Sequence, residues 1–179
     1  RFARDLLLLT STGELAGTWP VPLHDHGGQV NNDWIQRTFT AVRILHELDG
    51  FGGFGHTSNA AQKKARDGLA RHVLAMLDKP GLQVYKYWQD RPQPAVTDDP
   101  ELPTIVYSVP GQEALVAVVS YADQDRQATL KLDMQALGFA ETDTVKATNA
   151  ETGEDVRISS GNIALNLKKH DIILLQFKR

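Results

Sequence analysis

From Gln83 to Arg179 the chain is cut into short apolar runs by closely spaced turn signals. Pro110-Gly111, Asp123-Gln124-Asp125, Thr152-Gly153 and Ser160-Gly161-Asn162 are dipeptides and tripeptides that favour turns. Between them the pattern predicts strands at 104–109, 114–121, 127–132, 143–149, 155–159, 162–167 and 171–177. Strands this short and this evenly spaced predict an antiparallel β-sandwich. Leu130/Leu132, Ile163/Leu165/Leu167 and Ile173/Leu175/Phe177 alternate with polar residues, which predicts one buried face for each strand. An aromatic strand, Val84 with Tyr85, Tyr87 and Trp88, precedes the run. Residues 91–103, with Pro92, Pro94, Pro100 and Pro103, read as a loop or linker, and Asp133 caps a single helical turn that Gly138 ends.

The first 82 residues have a different character. Asn32 or Asp33 caps a helix that runs to about Leu48, and its apolar positions Trp34, Ile35, Phe39, Val42, Leu45 and Leu48 recur at helical spacing. Gly50 is placed to end it. A loop of glycines and phenylalanines, Gly50 to Gly55, leads to a second helix that starts at Ser58 or Asn59 and runs to about Leu77. The inner stripe of that helix is Leu69, Val73, Met76 and Leu77. Leu6-Leu7-Leu8-Leu9 is a short continuous apolar run, the mark of a strand buried on both faces, and the chain offers it no set of parallel partners. The expected fold class is α+β: an N-terminal helical segment, 1–82, followed by a C-terminal antiparallel β-sandwich, 83–179.

Charge narrows the partners. Acidic residues outnumber basic ones, 22 to 19, and a net charge of −3 offers no basic footprint for nucleic acid. No apolar run approaches the roughly 20 residues that span a bilayer, so no membrane partner is expected. With no cysteine there is no thiolate zinc site and no cysteine nucleophile. Arg1 stands where an initiating Met would, and we expect the chain to be the end of a longer protein.

His24-Asp25-His26 is the first chemical candidate. In an extended segment the two histidines point the same way and can reach one sugar hydroxyl or one metal. A metal needs a third ligand, which only folding can bring from His46, His56 or Asp33, and no metal or other cofactor is expected. From the residues alone, His24, Asp25 and His26 read as a substrate-facing loop, and His56 as a residue that can line a cleft. Gly50 to Gly55 lacks the preceding strand, the Lys-Ser/Thr ending and the acidic residue of a nucleotide loop. Trp19, Trp34 and Trp88, with Tyr85 and Tyr87, can offer flat rings to sugars. A glycosidase needs two carboxyl groups across the scissile bond. The acids Asp5, Glu14, Asp25, Asp33, Glu47, Asp49, Asp90, Asp98 and Asp99 stand in no context that selects such a pair, and neither Ser58 nor Ser108 has the setting of a nucleophile.

Three stretches carry a family resemblance. They are Thr129 to Asp133 with Ala136-Leu137-Gly138, Val145 to Glu154 with its turn Asn149-Ala150-Glu151-Thr152-Gly153-Glu154, and His170-Asp171-Ile172-Ile173-Leu174-Leu175. Together they resemble the C-terminal β-sandwich of bacterial glycoside hydrolases of the family 123-like group, and Tyr87-Trp88 is similar to the Tyr-Trp that leads into that sandwich. The resemblance covers about residues 80–179. It implies a secreted or periplasmic, carbohydrate-processing protein whose catalytic acids lie in a TIM barrel upstream. It also implies a catalytic domain or companion chain as partner. None of the family's catalytic residues maps onto this sequence. A barrel takes about 200 residues or more, so the first 82 are expected to hold only its end, with Thr10 to Gly28 as an active-site loop, which implies sugar contacts at His24, Asp25 and His26, with His56 lining the cleft. The competing expectation is a non-catalytic carbohydrate-binding or structural β-sandwich module.

Overall fold

The computed structural model describes residues 32–47, 60–140 and 144–179. Helix α1, Asp33–His46, opens the described chain. Asn32 is its cap, its side chain accepting the Ile35 N–H at 3.1 Å. The helix ends a little before the expected Leu48: Glu47 turns into the left-handed region, φ 48°, and bonds back to the Arg43 and Ile44 carbonyls. The second helix runs as α2, Ala60–Ala65, a π-helical turn, Arg66–Ala70, and α3, Arg71–Leu77. The residues at both junctions stay right-handed helical, so the rod is continuous.

Among the described residues eight strands follow: β1 Gln83–Lys86, β2 Ala95–Thr97, β3 Thr104–Val109, β4 Glu113–Val119, β5 Arg126–Leu132, β6 Lys146–Asn149, β7 Asn162–Leu167 and β8 Ile172–Lys178. They form two antiparallel sheets, one of five strands ordered β1-β3-β4-β8-β6 and one of three ordered β2-β5-β7. This is the α+β arrangement expected, helices followed by a β-sandwich. Two readings of detail are corrected. The supposed linker 91–103 contains β2, because Ala95 is apolar and fully buried and its strand pairs with β5. The expected strand at 155–159 is reduced to isolated bridges at Asp155 and Ser159.

The two sheets enclose one apolar core. Val106, Val116, Val118, Leu175 and Phe177 come from the larger sheet, and Leu130, Ile163, Leu165 and Leu167 from the smaller. On β7 the alternation behaves as expected, with Ile163, Leu165 and Leu167 inward and Ala164 and Asn166 exposed. Strand β8 departs from that pattern: Ile172 and Leu174 are buried as well as Leu175 and Phe177. Strands β3 and β4 are likewise buried along nearly their whole length. The reason is a second core on the opposite face of the five-stranded sheet. There Ile105, Tyr107, Leu115, Ala117 and Leu174 meet Ala41, Ile44 and Leu45 of α1, Leu69 of the π turn, and Val73 and Met76 of α3. The structure is therefore three layers, with the central strands β3, β4 and β8 of the middle sheet covered on both faces. The sheet-facing positions of α1 are thus Ala41, Ile44 and Leu45, and Trp34 of the expected stripe is 45% exposed. Leu77, expected inside, is exposed on α3.

Polar groups stitch the helical layer to the sheet. Arg37 lies one turn before Ala41, on the same side of α1. Its Nη1 and Nη2 donate to Glu151 Oε1 and Oε2 at 2.6 and 2.7 Å, its Nη2 to the Ile172 carbonyl at 3.0 Å, and its Nε to Asp171. Glu151 sits in the turn after β6, where Asn149 Oδ1 accepts the Glu151 and Thr152 N–H groups. Asp171 stands just before β8 and also accepts the Ile172 N–H. Burial alone would pull the Arg37 guanidinium down, but the hydrogen bonds and charges of Glu151 and Asp171 outweigh it and hold its pKa above the ordinary value. Nearby, Thr38 Oγ1 donates to the His170 carbonyl at 2.8 Å, and Lys79 pairs with Glu113 at the start of β4. Tyr107 reaches across from β3 to the Ile44 carbonyl at 3.3 Å. Burial, with Glu47 adding, pushes its hydroxyl pKa well up, so it stays a neutral donor.

The π turn serves the same joint. A Cβ placed on Gly68 would lie 2.9 Å from Glu151 Oε1. Only a glycine lets the helix come this close to a carboxylate that Arg37 already holds on both oxygens.

Two stability predictions follow from this joint. Arg37→Ala leaves two half-buried carboxylates facing each other and is expected to cost about 2–3 kcal/mol in urea denaturation. Arg37→Lys, which loses the fork, should fall between the two. Gly68→Ala is expected to destabilise the native protein but to stabilise the Glu151→Ala variant by about 0.5–1 kcal/mol, the usual preference of a helix for Ala over Gly. A double-mutant cycle measured by denaturation reads the coupling, and additive effects would refute the contact.

Candidate functional site

His24, Asp25, His26 and His56 lie outside the described residues, as do Trp19, Ser58 and the loop Gly50 to Gly55. Of the expected chemistry-bearing residues, the structure therefore places His46, Asp33, Trp34, Tyr85, Tyr87, Trp88 and the later acids.

His46 closes α1 and is 3% exposed. Its ring stacks on Trp88, with centroids 5.3 Å apart and planes 12° apart, and meets Tyr87 edge-on at 5.9 Å. Its Nε2 lies 2.8 Å from the Tyr121 hydroxyl. Lys86 pairs with Glu47 and sits 5.8 Å from the centroid of the Trp88 ring. The Tyr87-Trp88 turn after β1 thus seals the end of α1 against the sheet. Tyr85 is also committed: the Arg91 guanidinium covers its ring at 4.1 Å, and its hydroxyl donates to Gln83 at 2.7 Å. None of these three rings stands flat and open, as a sugar platform on the sandwich would require. His46 and Asp33 do not converge as metal ligands either, since Asp33 pairs with Lys64. Among the described residues no group of three or more His, Asp or Glu is placed to hold a metal ion.

The acids show the same commitment. Glu151 and Asp171 hold Arg37, Glu47 holds Lys86, and Asp99 faces Arg126 at 3.7 Å. Asp98 accepts the Thr129 backbone N–H at 2.8 Å, and that bond holds its carboxyl below the usual range, which suits a strand clasp and not a proton donor. Ser108 is fully buried within β3 and has no access to a substrate. An open depression beside β7, lined by Val156, Arg157, Ser159 and Asn162 among others, contains no acid and no aromatic ring.

Trp34 is different. It lies in the first turn of α1, 45% exposed. His170, from the turn before β8, is tilted against it at 5.8 Å, and Lys169 Nζ is 6.0 Å from its ring centroid. His170 takes a left-handed φ of 53° and places Nε2 3.5 Å from the exposed carboxylate of Asp123. Sequence reading proposed Trp34 but missed Lys169 and His170. No local pattern links residues so far apart in the chain, and only the docking of α1 beside the turn before β8 brings them together.

Residues 71–176 match the family model described as glycoside hydrolase 123, C-terminal domain. No curated protein sequence matches the chain. Among solved structures, α-galactosidase I from Mortierella vinacea superposes with a TM-score of 0.53 at 11% identity, over 87% of this chain and 38% of that one. A GH27 β-L-arabinopyranosidase from Geobacillus stearothermophilus, solved with arabinose, gives 0.51 at 14% identity, over 87% of this chain and 33% of that one. At such identities the likeness is one of fold, and the chain spans well under half the length of either enzyme. Because the family match runs over more than half of its residues, the chain belongs to the glycoside hydrolase 123 family, as its C-terminal domain.

Proposed function

We propose that this chain is the C-terminal portion of a carbohydrate-processing glycoside hydrolase whose catalytic carboxylates lie outside it. The observation that carries this reading is the commitment of the acids where helices and sheet meet. Among the described residues, Glu151, Asp171 and Glu47 each hold a cation from the helical layer or from β1, so these three acids are not free to act as a pair across a glycosidic bond. In this reading the described domain supports an active site built elsewhere in the protein.

In this reading α1 and the α2–α3 rod are the last helices of a TIM barrel, and the sandwich packs on them. Leu74 and Leu77, 38% and 43% exposed on α3, supply apolar surface for an upstream part to cover. The loops that follow barrel strands build the catalytic face. His24, Asp25, His26 and His56 remain the proposed sugar contacts on that ground.

The test compares the 179-residue chain with the product of the whole gene on a panel of aryl glycosides. The chain alone is expected to show no turnover above buffer, and the whole product to hydrolyse at least one glycoside. Turnover by the chain alone would overturn the placement of the carboxylates, and an inactive whole product would overturn the enzyme reading. In the whole product, His24→Ala and His26→Ala are expected to raise KM roughly tenfold or more, the loss of one good polar contact.

A further inference from the structure

The Trp34 corner stands apart from every other aromatic cluster described. Trp88 is stacked on His46 and Tyr85 is capped by Arg91, whereas Trp34 remains 45% exposed although it begins a helix that is otherwise buried from Thr40 to His46. The surroundings of the ring are polar. Lys169 and His170 flank it, Asp123 lies beyond His170, and the Asp33–Lys64 pair belongs to the same end of the helix. An apolar protein surface is a poor match for such a rim, because it would strip water from several charges. A pyranose suits it: one face of the sugar is a patch of C–H groups that packs on an indole, and its edge is a ring of hydroxyls. Lys169 can donate to those hydroxyls, and the His170 ring, tilted against the indole at 5.8 Å, forms its wall. Lys169 sits at the outer limit of cation–π range, roughly 6 Å, so it borders the ring without sealing it.

We infer that Trp34, with Lys169 and His170 at its edge, is a carbohydrate-binding platform for a pyranose unit, separate from the residues proposed above to contact the sugar at the catalytic centre. It rests on the carbohydrate reading of the protein, and it adds a position. Helices of a TIM barrel begin where the strand-following loops end. A platform in the first turn of α1 therefore borders the catalytic face and would hold a sugar chain running out from it.

The experiment is affinity electrophoresis of the 179-residue chain in native gels containing galactomannan, arabinogalactan, xylan, amylose or heparin, followed by calorimetry on any polysaccharide that retards it. Retardation by at least one is expected. Trp34→Ala should weaken that binding roughly tenfold, Lys169→Ala a few-fold, and Trp34→Phe should retain most of it. Unchanged urea midpoints for the variants exclude unfolding as the cause. Absence of retardation in every gel, or Trp34→Ala binding as tightly as the native chain, overturns the platform. The outcome is independent of turnover. If the whole product hydrolyses aryl glycosides but Trp34→Ala changes no binding, only the platform fails. If binding depends on Trp34 in a product without turnover, only the catalytic reading fails.

Discussion

The five-stranded sheet has to be covered twice. Strands β3, β4 and β8 are apolar at successive positions, so a single packed face would leave half of their side chains in water. The smaller sheet buries one face through Val106, Val116 and Phe177, and the helices bury the other through Ile105, Leu115 and Leu174. Without its helical layer the sandwich would expose a broad apolar surface. The helices are thus part of the domain's stability whatever they also pack against on their outer side.

Apolar contact alone does not set the angle and register of a helix on a sheet. Directional bonds do that here. Arg37 makes four hydrogen bonds to Glu151, Asp171 and the Ile172 carbonyl, and these acceptors come from the turn after β6, the turn before β8 and β8 itself. Two of the sequence stretches that mark the family supply the two acids. The Asn149 to Glu154 turn presents Glu151, and the His170-Asp171 step presents Asp171. Each turn positions a carboxylate that the helical layer needs. The π turn at Gly68 gives that layer the clearance to come close. A pair of acids that would draw attention in a hydrolase therefore has a structural role, and this turns the search for chemistry elsewhere.

Much of the fold was legible because it depends on near neighbours. Asn32 capping α1, Asp133 and Gly138 bounding one turn, and the inward Ile163, Leu165 and Leu167 of β7 are all local matters of φ, hydrogen bonding and period. The errors have one source. β2 hid among prolines because three residues give no period, and it is a strand only because β5 lies beside it. β8 was read as half-buried because alternation cannot report a layer on the far side. Trp34 was counted as core because helical spacing shows a stripe without showing what, if anything, covers it. Of the candidate site, Trp34 could be named in advance as a ring able to meet a sugar. Lys169 and His170 could not, since nothing near them in the chain points to a tryptophan in the first described helix.

The sequence by itself determined the two helices, most of the strands, the antiparallel character of the closing region and its family. Those follow from propensity, turn chemistry and period, which act over a few residues. Only the tertiary structure decided that the central strands of the large sheet are dry on both faces, that Glu151 and Asp171 are held by Arg37, and that Trp34 stays open beside Lys169 and His170. Each of these depends on which surfaces meet across more than a hundred residues of chain. Burial and ion pairing are properties of that meeting, and no stretch of sequence contains them alone.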